Sequence, residues 1–146
     1  MADRTKVYVD TSVLVALIVP EPASAAVSRW YVRSRAELVS ATWCVTEFAS
    51  ALGIKQRTHQ IDPLQAQAAW QRFERLIVND LTLMPLGAEA FHRAAVLAFD
   101  AQTALRAGDA LHLAVAELAG VRSMATLDRV LARNAERLKI KSLALA

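Results

Sequence analysis

Short apolar runs alternate with longer helical ones along the whole chain. Lys6 to Val9 is four residues long and reads as a buried strand, and Thr11 to Val19 follows as a helix stopped by Pro20-Glu21-Pro22. Ser24 to Arg35 predicts a second helix, with Val27, Trp30 and Tyr31 on one side. Glu37 to Ser40 predicts a strand and Thr42 to Thr58 a long helix. Asp62-Pro63 opens another helix, running to about Asn79, with proline in the first turn where its missing N–H costs nothing. Leu81 to Met84 is the third strand. A helix from Gly87 to about Ala101 is expected to bury a stripe of Phe91, Ala95, Ala98 and Phe99. From Asp109 to Ala119 only His112 and Glu117 are polar, which predicts a central, buried helix. Arg122 to Ala125, Asp128 to Leu138 and Lys141 to Leu145 complete the pattern as strand, helix and strand.

Strands that alternate with helices predict an α/β fold: a parallel sheet sandwiched by helices in three layers, α/β/α. The 146 residues suit a single domain spanning 1–146, without repeats or a linker. Composition adds little to this but excludes much. With 55% AVILMFWYC and 21% charged residues the chain is globular rather than disordered. The single cysteine, Cys44, rules out an internal disulfide and a cysteine-based zinc site, and its apolar surroundings predict an inert buried thiol. No apolar run nears the roughly 20 residues of a membrane helix, and Val13 to Val19 is too short for a secretory signal. A cytoplasmic protein is expected.

Four carboxylates change the picture. Asp10 ends the first strand, Glu47 lies inside the long third helix, Asp109 opens the buried helix, and Asp128 opens the last one. In an open parallel sheet, ligands bind beyond the carboxyl ends of the strands where strand order reverses, so acids from distant segments can converge there. Each aspartate alone also suits a helix N-terminus, as a cap or against the dipole. Glu47 has no such excuse, because Trp43, Ala51 and Ile54 are its neighbours at helical spacing. Crowded carboxylates repel one another and hold a cation or share a proton. All-oxygen ligands select a hard ion, Mg²⁺ or Mn²⁺, and the matching chemistry is phosphodiester hydrolysis by a Mg-activated water. Net charge is +3, from 17 Lys+Arg against 14 Asp+Glu; with four acids in one pocket, ten are left to face the 17 bases. A basic surface around an acidic hole suits a polyanion. The segment after Asp10 lacks the Asp-x-Asp pair of aspartyl phosphatases, and no P-loop or dinucleotide glycine fingerprint is present. His59, His92 and His112 are weak candidates, and His112 is expected to be a packed, hydrogen-bonded core residue rather than a ligand.

Four segments in this order carry a resemblance: Val9-Asp10-Thr11-Ser12-Val13-Leu14 with Pro20-Glu21, Val45-Thr46-Glu47, Ala107-Gly108-Asp109-Ala110-Leu111-His112-Leu113-Ala114, and Ala125-Thr126-Leu127-Asp128. In them the chain resembles the PIN-domain ribonucleases, and among these the VapC-type toxins of type II toxin–antitoxin pairs. The resemblance implies a five-stranded parallel sheet in the order 3-2-1-4-5, Mg²⁺- or Mn²⁺-dependent endoribonuclease activity, a cognate antitoxin protein and a homodimer. It implies Asp10 and Asp109 as main metal ligands, Glu47 completing the inner site, Asp128 assisting, and hydroxyls from Thr11, Ser12 and Thr126. Arg106, Arg129 and Arg133 are candidate RNA-backbone contacts; Arg129 and Arg133 share a helix face beside Asp128. Phe48, Leu52, Trp70 and Phe73 stand as either dimer face or plain core. Two other readings remain: a PIN-like module that binds RNA or protein without cutting, and a metal-dependent phosphatase of small phosphoesters.

Overall fold

Five parallel strands form one sheet in the order β3-β2-β1-β4-β5. The computed structural model describes residues 5–145, so the ends of the expected domain, 1–4 and 146, lie outside the described residues. The strands are β1 (Lys6–Val9), β2 (Glu37–Ala41), β3 (Leu81–Met84), β4 (Ser123–Ala125) and β5 (Lys141–Ser142). The helices are α1 (Thr11–Ile18), α2 (Ser24–Arg33), α3 (Trp43–Arg57), α4 (Pro63–Asn79), α5 (Ala88–Phe99), α6 (Ala107–Leu118) and α7 (Arg129–Arg137), with a 3-10 turn at Ala101–Thr103. Element order and strand order are those expected; several boundaries differ. No helix of the described residues is long and apolar enough to cross a membrane.

β1 lies between β2 and β4, so strand order reverses beside it. Because helices cover both faces of a parallel sheet, Val7, Tyr8 and Val9 are all buried, an apolar run without polar alternation. The pleat still divides them. Val7 and Val9 enter a core with Val13, Leu14, Phe48 and Phe73. Tyr8 points the other way, into a core with Val39, Leu113, Met124 and Leu131.

Phe48, Leu52 and Phe73 therefore belong to the chain's own core rather than to a docking face. The Phe48 and Phe73 rings stack at 4.2 Å between centroids, 6° from parallel, and Trp70 leans on both. Phe73→Ala is expected to cost about 3–5 kcal/mol through lost burial and the cavity left behind. Urea denaturation measures it, and a loss below about 1 kcal/mol would mean the site collapses freely around the gap.

The expected stripe of α5 is wrong. The buried residues are Ala90, Ala94 and Leu97, while Phe91 is 51% and Phe99 93% exposed. α5 packs tightly along α6, and the small alanines permit that approach where phenylalanine would hold the axes apart. α6 begins two residues earlier than expected, at Ala107, so Asp109 sits inside the first turn and not at the cap. β5 pairs over only two residues, although Leu145 beyond it is still buried; apolar transfer does not require strand pairing.

Candidate active site

The carboxyl ends of β1 and β4 lie side by side, with Val9 paired to Ala125. The amide of Asp10 donates to Ala125 O at 3.2 Å, which extends that pairing one residue past the strand. Asp10 and Thr126 thus emerge together at the crevice where strand order reverses. Asp10 is 3% exposed. Its Oδ1 accepts from Ser12 Oγ at 2.6 Å and from Val13 N at 3.3 Å, while Oδ2 accepts from Thr126 Oγ1 at 2.7 Å. Capping and site placement are the same geometry here: the residue that ends β1 also opens α1. Burial pushes the Asp10 carboxyl above its ordinary range, against the pull of His112, then of the Ser12 and Thr126 hydroxyls and the Val13 amide.

The same hydroxyls tie in the second loop. Ser12 Oγ accepts from Leu127 N at 3.0 Å, and Thr126 Oγ1 accepts from Asp128 N at 3.0 Å. Asp128, half-buried, caps α7 through Leu131 N at 2.9 Å. Asp109 reaches the crevice from the first turn of α6. Its carboxyl is pushed up to about 6, first by burial, then by the charges of Asp128, Asp10 and Glu47. That repulsion is what brings the four acids into one electrostatic unit.

Glu47 enters from α3 and is held. Oε1 accepts from Thr11 Oγ1 at 2.6 Å and meets Nε2 of His112. Burial pushes this carboxyl up, but the His112 and Thr11 hydrogen bonds outweigh it and hold the group below its ordinary range. The Trp43 indole N–H is buried without a hydrogen-bond partner, yet lies near enough to help keep Glu47 charged. Gly108 makes room for this. A Cβ there would stand 3.0 Å from Glu47 Oε2 and 3.1 Å from Trp43 Nε1. His112 is the packed, hydrogen-bonded residue expected, 1% exposed, with Nδ1 2.7 Å from the Tyr8 hydroxyl. What the sequence reading missed is Tyr8 and Gly108. Gly108 had a signal, a small residue next to an acid on a tightly packed helix; Tyr8 had only its place on the central strand.

Thr11, Ser12 and Thr126 are therefore beside the acids as expected. Arg106, Arg129 and Arg133 are exposed, and none of them forms an ion pair among the described residues. A groove of about 640 Å³ runs alongside, lined by Thr11, Ser12, Trp43, Glu47, Ile54 and Leu127 among others.

The donor set is four carboxylates and three hydroxyls, all hard oxygen. Among the described residues no three His, Cys, Asp or Glu side chains stand close enough to hold one ion together. Magnesium takes only one or two carboxylates directly and keeps several waters, so two of these acids could bind it and the others would act through its waters. The raised Asp109 is the observation that makes the residues fit a cation, because added positive charge would relieve the repulsion.

A pH consequence follows for the metal-free protein. Between the ordinary 3.8 and about 6, folded Asp109 keeps a proton that the unfolded chain has released. Folding is therefore favoured by acid over that window, and the contribution is lost as pH rises through 6. Metal-free stability should rise by about 1 kcal/mol from pH 7 to pH 5. Denaturation in EDTA at the two pH values measures it; a fall would show that other carboxyls dominate.

A PIN domain family model matches residues 7–137. No curated protein matches the chain by sequence. Among solved structures, the chain is similar to VapC20 of Mycobacterium tuberculosis, a sarcin–ricin loop cleaving toxin, with TM-score 0.71, 15% identity, and coverage of 88% of this chain and 94% of that one. It is similar to FitAcB of Neisseria gonorrhoeae with TM-score 0.70 and 17% identity, over 95% of this chain and 97% of that one. A toxin–antitoxin complex from Klebsiella pneumoniae gives TM-score 0.65 and 14% identity, over 96% and 98%.

Proposed function

The chain belongs to the PIN domain family, and from that premise we propose that it is a VapC-type toxin, a Mg²⁺- or Mn²⁺-dependent endoribonuclease restrained by a cognate antitoxin. The observation that carries this reading is the acid cluster at the β1/β4 crevice, with Asp109 pushed up to about 6 by burial and by its acidic neighbours. Asp10 and Asp109 would hold the cation, and Glu47 and Asp128 would act through its waters, since no three acids among the described residues stand close enough to hold one ion. A divalent ion there supplies charge against the scissile phosphate and acidifies water. The chain's own groups do the rest. Thr126 and Ser12 fix both oxygens of Asp10, and Thr11 fixes Glu47. Arg129 and Arg133, one turn apart on α7, and Arg106 before α6 would hold the RNA backbone, a sequence-independent contact that salt weakens.

The antitoxin is proposed from the kinship with toxin–antitoxin complexes such as that from K. pneumoniae. A homodimer is also proposed; with Phe48, Leu52 and Phe73 in the core, its apolar contacts must come from elsewhere. The protein would act in the cytoplasm.

The test is incubation of purified protein with total cellular RNA, with Mn²⁺ and with EDTA. Discrete fragments that need the metal support the reading, and their ends name the target. RNA bound but not cut would favour the non-catalytic module; turnover of small phosphoesters alone would favour the phosphatase. Metal linkage gives an independent check. Mg²⁺ at ten times its Kd should add about 1.4 kcal/mol, raising the Tm by roughly 3–5 °C. An unchanged Tm at millimolar Mg²⁺ would count against the site.

A further inference from the structure

We propose that Tyr8 and His112 are positioning residues that orient Glu47 through a hydrogen-bond chain of fixed direction, beginning at the backbone amide of Ala41. That amide can only donate, and it donates to the Tyr8 hydroxyl oxygen at 3.0 Å. The Tyr8 hydroxyl lies 2.7 Å from His112 Nδ1 and is placed to donate to it. With Nδ1 occupied as an acceptor, the ring carries its proton on Nε2. Nε2 faces Glu47 Oε1, with Thr11 Oγ1 at 3.2 Å. Thr11 donates to the same Oε1 at 2.6 Å. Two donors on one oxygen stop the carboxylate from turning and leave Oε2 beside Gly108.

The opposite arrangement needs a second acceptor for Tyr8 and a bare Nε2 against Glu47. A proton on Nδ1 would face the Tyr8 oxygen and send the phenol proton to another acceptor. The hydroxyl of Ser40, next in the chain to Ala41, is buried without a well-aligned partner and is close enough to Tyr8 to be that acceptor. Tyr8 is 0% exposed and His112 1%, so no bulk water reaches in to reverse the chain. The Glu47 end decides the direction: a bare Nε2 would set a lone pair against the Glu47 oxygen, whereas an Nε2–H donates to it and leaves Nδ1 to accept from Tyr8.

The functional consequence rests on the metal-nuclease reading, because the orientation of Glu47 matters there only if Glu47 serves the cation. Groups behind a metal ligand typically change affinity by about 10–100-fold when removed. Tyr8 and His112 are buried behind Glu47, so their effect would pass through it.

The test uses the whole chain at a temperature well below unfolding. In the metal-free wild type, ¹⁵N spectra of His112 should show the Nε2–H tautomer. Tyr8→Phe should lose that exclusivity. Tyr8→Phe and His112→Ala should bind Mn²⁺ about 10–100-fold more weakly by titration, with kcat reduced and KM for RNA unchanged. His112→Gln, which keeps a side-chain N–H toward Glu47, should restore most of the Mn²⁺ affinity. An Nδ1–H tautomer or a doubly protonated ring in the wild type would overturn the proposal. So would folded variants that bind Mn²⁺ like the wild type while the wild type cuts RNA. A wild type that binds no Mn²⁺ would instead overturn the metal-nuclease reading, and the role given to Glu47 with it; the tautomer would still report whether the chain of donors exists.

Discussion

Asp109→Asn should cut RNA at least about a hundredfold more slowly, the scale on which one electrostatic stabiliser is missed, and yet should be no less stable than the wild type without metal. The two effects have one origin. Asp109 is half-buried and faces Asp128, Asp10 and Glu47, so its charge is disfavoured until a cation arrives. Asparagine keeps the shape and removes the charge. At pH 7 the metal-free variant should gain about 1–3 kcal/mol, the size of a shift from 3.8 to about 6. At pH 5 only about half of that gain should remain, because the folded wild type is then largely protonated while its unfolded chain is still ionised; the rest goes below 3.8. Adding Mg²⁺ should reverse the order, since linkage stabilises only the form that binds it. Paired Tm measurements with EDTA and with Mg²⁺, at both pH values, decide it. A clear loss of metal-free stability would make Asp109 a structural carboxylate and remove the main support for a cation site.

Asp10→Ala should be as inactive but should behave oppositely in stability. Asp10 receives Ser12 Oγ, Thr126 Oγ1 and the Val13 amide, and it caps α1. Alanine leaves those donors without their acceptor in a buried place. The cost should be about 1–3 kcal/mol, moderated because burial already disfavours the Asp10 charge. Denaturant unfolding in EDTA reads the stability, and RNA cleavage in Mn²⁺ reads the activity. An Asp10→Ala protein that still cuts at the wild-type rate would exclude Asp10 from the chemistry. Together the two variants separate an acid that the fold tolerates from one that the fold uses.

Much of the site was legible because the fold rule and the chemistry agree. Apolar runs too short for helices marked the strands, parallel strands put their carboxyl ends on one edge, and the strand order implied by the resemblance set β4 beside β1, which brings Asp10 and Asp128 together. Glu47 stood out as an acid among apolar neighbours on a helix. Less legible were choices made by tertiary packing. On α5, alanines and phenylalanines both recur at helical spacing, and only the closeness of α6 selects Ala90 and Ala94. Phe48 and Phe73 could have faced a partner until α3 and α4 were seen to close on each other. Tyr8 and His112 lie 104 positions apart, so no local pattern could pair them. Gly108 carries no chemistry of its own; what matters there is an absent Cβ.

The web that joins Asp10 and Ser12 to Thr126 and Leu127 spans separations of 116 and 115 positions. A nascent chain therefore carries three of its four acids into the open well before it can close the crevice. β1 must wait at the centre of the sheet for β4, which is synthesised only after α6. Domains generally fold as units during synthesis, and long-range parallel pairing is slow. If the assembled crevice is what cuts RNA, translation itself keeps the unfinished polypeptide harmless to the messenger and ribosome that are producing it. On that reading, a chain truncated before Ser123 should show no RNA cleavage.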